Sequence, residues 1–349
     1  MRAMLRGRVI GMLVLVPLAA AAACGGDKAP LVSQDAAGDD HVQVAVSNYT
    51  NGPFGLPYLV GDKQGIFKKH RIVVDKVVGS AGGGTTVRLL LAGDLAFADS
   101  ALAATVQAIQ QGSKLKIVGG GTQDVNDACS VTRKDAPFKT IRDLAGHTIG
   151  FTNPGSASEA FIRLMIAKTG VDPKKFTLKA TGGLMEGLAL LAKGEVDVTS
   201  AIGPLCADPR FKTLDTSEYV PQFQQSVTVT SAKLAQDKPD LVKRFLAALQ
   251  ESNLWIKQNP DAAADLLAAH LEQPASALQP IVKKLTADPA HWDVALSAKP
   301  VNAALAGAAL SGVLKPGQSL PWESILDQSF LPDGVAKVDP AQLSVGTGQ

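Results

Sequence analysis

The spacing of apolar positions switches repeatedly between the short runs of strands and the three-to-four-residue recurrence of helices, and the switches fall in the same order twice. In the first copy, the strand His41–Ser47 (HVQVAVS) meets the polar turn Asn48–Pro53, and a helical segment runs to Gly65. The strand Arg71–Val78 then ends in Gly79–Gly84, a helix Thr85–Ala92 reaches Gly93 and Asp94, and the strand Leu95–Ala98 ends in Asp99, Ser100 and Ala101. In the second copy, the strand His147–Phe151 meets Thr152–Ser156 and a helix runs to Gly170. The strand Phe176–Ala180 ends in Thr181–Gly183, a helix Leu184–Ala192 reaches Gly194, and the strand Val196–Thr199 ends in Ser200–Gly203. Both copies read βαβαβ.

Strands alternating with helices of this length predict parallel pairs joined by right-handed crossovers, hence an α/β fold. Glycines at positions 65, 93, 170 and 194 are placed to end helices in the left-handed conformation. After the second copy come Val227–Thr230 and four helical stretches, 241–258, 261–271, 275–285 and 301–313, with Pro239 and Pro260 suited to helix starts. The expected division is a first lobe of residues 41–122 and 217–349, including the C-terminal helices, and a second lobe of 123–216. The chain then crosses between lobes twice, and two crossings make a hinge. Ligands of such sheets sit beyond the carboxyl ends of the strands. Those ends are the six turns named above, which converge on one cleft if the lobes face each other.

The first forty residues follow a different pattern. Arg2, Arg6 and Arg8 precede an apolar run from Val9 that ends in small residues at Cys24, the order of a secretory signal over residues 1–23. The run is shorter than the roughly 20 residues of a bilayer-spanning helix. Cys24 sits where a bacterial lipobox places its lipidated cysteine, although the usual leucine three residues upstream is Ala21; plain cleavage with Cys24 as a bystander is the alternative. Residues 24–40 have the composition of a flexible linker. The expectation is an exported protein held at the outer face of the cell membrane by a lipid.

About 310 residues remain, enough for two lobes. Removing the three signal arginines from 34 basic residues leaves 31 against 32 acidic ones, a balance that points away from nucleic acid and from a polybasic membrane face. Apart from Cys24, Cys129 and Cys206 are either disulfide-bonded, which an exported compartment permits, or two buried thiols.

Several passages together resemble the type II solute-binding proteins of bacterial ABC importers, in the branch of nitrate, sulfonate and taurine binders that includes thiamine-precursor binders. They are Leu56–Phe67 (LPYLVGDKQGIF), Leu90–Ala96 (LLAGDLA), Leu144–Gly150 (LAGHTIG) and Ala192–Val198 (AKGEVDV). The resemblance implies two α/β lobes that close on a solute, a monomer, and the permease and ATPase subunits of an importer as partners.

The turns at the cleft are rich in Gly, Ser, Thr and Asn. Candidate solute contacts are Thr50, Asn51, Phe54, Ser80, Gly82, Gly83, Thr85, Asp99, Ser100, Asn153, Gly155, Ser156, Gly183 and Gly203. Helix starts with free amides favour an anionic group such as a sulfonate, carboxylate or nitrate, while the same residue types also serve as ordinary caps. Asp99 reads as a helix N-cap, or, if it faces the cleft, as a contact for an amine or hydroxyl. His41, His70, His147, His270 and His291 have no metal-ligand spacing, and HExxH, CxxC and GxSxG are absent, so neither a metal nor a cofactor nor an enzyme is expected. The rival readings are an enzyme of the same fold, such as a pyrimidine synthase or a decarboxylase-like relative, a binder of pyrimidines or aromatic acids, and a solute-presenting sensor.

Overall fold

The computed structural model describes residues 31–214, 216, 220 and 222–346; the signal segment and Cys24 lie outside them. In chain order the first lobe contributes β1 (Ser33–Gln34), β2 (Asp40–Ser47), α1 (Leu56–Lys63), α2 (Ile66–Lys69), β3 (Ile72–Ser80), α3 (Gly83–Leu91), β4 (Phe97–Ala101), α4 (Leu102–Gln110) and β5 (Leu115–Gly120). The second lobe follows with β6 (Ala128–Arg133), β7 (Thr148–Phe151), α5 (Ala157–Lys168), β8 (Thr177–Ala180), α6 (Leu184–Ala192), β9 (Val198–Ile202) and β10 (Phe211–Leu214). The chain returns through β11 (Ser226–Ser231) to α7 (Ala232–Asp237), α8 (Pro239–Gln258), α9 (Pro260–Leu271), α10 (Ala275–Thr286), α11 (Ala298–Leu310) and α12 (Trp322–Ile325).

The expected repeat is present as matched parallel triplets, with β2 pairing β3 and β4, and β7 pairing β8 and β9. The helix-ending glycines at 65, 93, 170 and 194 all have positive φ. Each sheet is nevertheless mixed, because the crossing strands run the other way. In the first, β11 is antiparallel to both β4 and β5; in the second, β6 is antiparallel to β9 and β10. The linker expectation is corrected at its C-terminal end. β1 pairs with β2, and the buried Asp39 and Asp40 are held by Lys68 and Arg71 and by Lys238 and Arg244 respectively, so residues 33–40 are built into the first lobe.

The C-terminal helices do not all belong to one lobe. The apolar face of α8 packs on α1, where Phe245 stacks on Phe97 with ring centroids 3.8 Å apart, and this closes the first-lobe core. In contrast, α11 lies against α4 of the first lobe and α5 of the second. At the α5 contact, Gly307 permits a close approach: a Cβ there would lie 2.5 Å from the Ala160 carbonyl oxygen. A single apolar cluster therefore runs from Val87 and Ala101 through Val301 and Leu305 to Ile162 and Met165, joining the lobes behind the cleft.

Candidate functional site

The ends of the strands and the starts of four helices enclose a cavity of about 60 Å³ between the lobes, against the roughly 10–15 Å³ that admits one water. The first lobe supplies Ser47, Asn48, Phe54, Gly82, Gly83 and Ala101; the second supplies Ala128, Cys129, Thr152, Ser156–Ser158, Phe161, Leu184 and Ser200–Ile202. The two crossings add Val125, Phe223, Gln225 and Ser226. Among the described residues, none on the lining carries an ionisable carboxylate, amine, guanidinium or imidazole.

Two kinds of surface result. Phe54, Phe161, Phe223, Leu184 and Ile202 form an apolar wall, with Phe161 and Phe223 edge to face at 5.8 Å. Opposite in character are the first turns of α3, α4, α5 and α6, each at least nine residues long, whose leading amides lack intrahelical acceptors and carry the positive end of the helix dipole. Local bonds fix these turns. Ser47 Oγ lies 2.7 Å from Thr86 Oγ1, and Ser80 Oγ meets the same hydroxyl at 2.5 Å. In the second lobe the Glu159 amide donates to Ser156 Oγ (3.2 Å) and the Gly155 amide to Glu159 Oε2 (2.8 Å). The lobes also touch at the rim, where Gly52 leaves no room for a Cβ beside Ile202.

Of the predicted residues, Phe54, Gly82, Gly83 and Ser156 line the cavity. Ser80 and Ser100 brace it: the latter's hydroxyl donates to the Gly83 carbonyl (3.1 Å). Gly155, Gly183 and Asn153 shape the second-lobe turns, with Asn153 Nδ2 donating to the Gly182 carbonyl (2.9 Å) and Gly183 standing at the N-cap of α6. The Gly203 amide donates to the Asp127 carbonyl (2.7 Å), Thr85 accepts from Arg88, Thr50 is exposed, and Asn51 holds the preceding turn. The reading of Asp99 as a helix cap is corrected: β4 continues to Ala101, which takes the cap position of α4, so Asp99 is a buried strand residue. It lies outside the main cavity. Burial pushes its carboxyl up to about 7, against the opposing effect of a hydrogen bond with Ser226.

Sequence reasoning missed the residues of the crossings, one aromatic anchor, and Ser47, Ala128 and Leu184 on the lobes. Phe161 follows Ala157 by four positions and shares its helix face, a signal that was present; Phe223, Gln225 and Ser226 arrive only through the return crossing. Cys129, also on the lining, is bonded to Cys206 across 77 residues, which closes the alternative of free thiols.

Behind the cavity, the hinge holds a buried cluster. His291 Nδ1 donates to Asp124 Oδ1 (2.8 Å), and Gln225 Nε2 donates to Asp127 Oδ1 (2.7 Å) and to the Asp124 carbonyl (2.5 Å). Burial alone would raise the Asp124 carboxyl, but the bond and charge of His291 and the Asn126 amide hold it below the ordinary value. Donor atoms of Asp124, Asp127 and His291 lie within 4.8 Å of one another, the one grouping with metal-ligand spacing among the described residues. Through the His291–Asp124 and Gln225–Asp127 bonds the cluster ties both crossings to the segment after α10.

Two mixed sheets, two crossings and a cleft at the strand ends define the type II periplasmic binding protein fold. A model of the NMT1/THI5-like family matches residues 54–263, more than half of the chain, and the chain belongs to that family. None of the curated proteins compared with the sequence matches it. Among solved structures, it is similar to the alkanesulfonate-binding protein SsuA from Xanthomonas axonopodis pv. citri bound to MOPS, with 16% identity and a TM-score of 0.70 over 85% of this chain and 100% of that one. The periplasmic nitrate-binding protein NrtA from Synechocystis PCC 6803 follows with 13% identity and a TM-score of 0.65 over 83% and 86%. A mutant of DszB in complex with biphenyl-2-sulfinic acid has 15% identity and a TM-score of 0.56 over 82% and 97%. At these identities the likeness shows the fold. Among the described residues no helix is long and apolar enough to cross a membrane.

Proposed function

We propose that this chain is the solute-binding component of an ABC importer, exported and tethered through a lipid on Cys24, and that it captures a small organic acid with an apolar body. The observation that carries the reading is the cavity between the lobes, which joins helix starts suited to an anionic group with a wall of three phenylalanines and, among the described residues, has no ionised side chain. A sulfonate or carboxylate head meets the amides of the helix starts while the body packs on Phe54, Phe161 and Phe223. Nitrate has no body to use that wall, and the amine of taurine finds no carboxylate among the described residues of the lining. Contacts from both lobes favour the closed state, which a permease then reads.

Binding without turnover is favoured over catalysis because the lining offers serine hydroxyls with no histidine or carboxylate as base among the described residues, and its cysteine is engaged in the disulfide. A thermal-shift screen over alkyl and aryl sulfonates, aromatic carboxylates, taurine, nitrate, pyrimidines and bicarbonate tests the reading. Apolar-bodied acids are expected to stabilise the protein, by about 2.7 kcal/mol at a hundredfold excess over Kd, and to be recovered unchanged by NMR. Stabilisation by nitrate or taurine alone, or conversion of a hit, overturns it.

A further inference from the structure

Next to the main cavity, on the first-lobe side of Phe54, lies a second and smaller chamber of about 20 Å³. Four side chains reach it from separate parts of the chain: Tyr58 from α1, Asp99 from β4, Asn253 from α8, and Trp292 from the segment after α10. They are 2, 5, 4 and 2% exposed, and each has a polar atom with no partner within hydrogen-bond distance among the described residues: Tyr58 Oη, Asp99 Oδ1, Asn253 Oδ1 and Trp292 Nε1. One such orphan costs about 1–3 kcal/mol, so four around a single space are a built feature.

The chemistry of the four is complementary. Trp292 Nε1–H is a donor without acceptor capacity, Tyr58 offers a hydroxyl, and Asp99 and Asn253 present acceptor oxygens. Two donors and two acceptors match a water in full, and a hydroxyl, with one proton and two lone pairs, meets three of the four. An ammonium group would leave the Trp292 N–H facing a positive charge, and an acidic head would face Asp99. A hydroxyl or a water fits.

The chamber is coupled to the solute cavity in two ways. Phe54 lines both. Gly121 lines the chamber, and because it has no side chain, Asp99 Oδ2 and Ser226 Oγ come together beside it; a Cβ at 121 would lie 2.9 Å from the first and 2.5 Å from the second. Ser226 in turn lines the solute cavity and accepts the Thr122 amide at 3.0 Å.

We propose that this chamber is a hydroxyl subsite: it holds a water when the cleft is empty and receives a hydroxyl borne on the apolar body of the bound acid, once the Phe54 ring turns aside. The inference rests on the organic-acid reading and narrows it to hydroxylated, aromatic-bodied acids. The test is calorimetric binding of matched pairs, benzoate against 3- and 4-hydroxybenzoate and benzenesulfonate against 4-hydroxybenzenesulfonate, to wild type, Trp292→Phe and Gly121→Ala. It is joined by a crystallographic soak with phenol. At least one hydroxylated member is expected to bind about tenfold or more tighter than its parent, with the preference lost in both variants and the parent's affinity kept in Trp292→Phe, and the phenol hydroxyl is expected in the chamber. Equal affinities within every pair, or a preference that survives in Trp292→Phe, overturn the subsite and leave only a structural water. If no acid of either kind binds, the organic-acid reading fails, and the phenol soak then decides the chamber alone: phenol absent from it overturns the proposal.

Discussion

The contact between α11 and α5 allows a sharp test of how the lobes are held, through Gly307→Ala. The added methyl would lie 2.5 Å from the Ala160 carbonyl oxygen and 2.9 Å from both the carbonyl carbon and Cβ of Ala160. Favourable contacts between heavy atoms sit near 3.5–4.0 Å, so the helices must separate by about 1 Å, and because the obstacle is backbone no rotamer change relieves it. Overpacking of this kind costs about 1–3 kcal/mol. Alanine's advantage over glycine inside a helix returns about 1 kcal/mol. The net expectation is a loss of up to about 2 kcal/mol in urea unfolding. The second face of α11 rests on α4 of the first lobe, so pushing it off α5 also disturbs the closed arrangement, and solute affinity is expected to fall with stability. Ala303→Gly, half-buried on the same helix, is the control: it should cost about 1 kcal/mol by propensity and leave affinity unchanged. A Gly307→Ala protein as stable as wild type with unaltered affinity would refute the claim that this helix couples the lobes.

Two further outcomes follow from buried groups. Asp99 has its carboxyl raised by burial to about 7, against roughly 3.9 when unfolded, so between those values the native state holds the proton more firmly than the unfolded chain. Stability should therefore decline as pH rises from about 4 to 7, by up to about 1.4 kcal/mol per unit, and Asp99→Asn should flatten that part of the profile; Asp127, also raised by burial, leaves a residual slope of the same sign. Identical pH profiles for wild type and Asp99→Asn would mean that Asp99 titrates as an exposed acid. The Cys129–Cys206 bond closes a loop of 77 residues in separation, for which chain entropy predicts about 4–5 kcal/mol and typical measurements give about 2–4. Replacing both cysteines by serine should lower unfolding stability by that typical amount, and unfolding midpoints that do not respond to reductant would show that the bond contributes nothing.

The repeated βαβαβ order was legible because each copy is local: apolar runs of strand length, a polar turn, and a glycine where a helix must stop. The helix α6 has the bounds its pattern predicts, and α9 and α10 differ from theirs by one residue at one end. The crossing strands β5, β6 and β10 were not legible, since their partners lie far along the chain and their burial is set by the sheet they join. The same non-locality hid most of the cavity. Gln225 and Ser226 enter it because β11 inserts between β4 and β5 after a full circuit of the second lobe. Asp99 was misread for a simpler reason. Ending the strand at Ala98 makes it look like a cap; extending β4 by three residues turns its side chain into the interior, opposite to Ser100, whose hydroxyl holds Gly83 on the other face.

That extension also bears on how binding is transmitted. Gln225 is a wall of the solute cavity and, through its Nε2, a brace on both Asp124 and Asp127 of the other crossing. Asp124 is in turn paired with His291, and Gln123 Nε2 donates to the Ala295 carbonyl (2.7 Å), so both crossings are fastened to the segment that leads into α11. Breaking a buried pair by removing one member costs about 3–5 kcal/mol, so motion at the hinge is more cheaply taken up where apolar surfaces can slide than by parting Asp124 from His291. On this reasoning a closing motion would be taken up between α11 and α5, an apolar helix interface with a glycine at the contact. A solute in contact with Gln225 would be one residue from the Asp124 and Asp127 bonds that join the crossings.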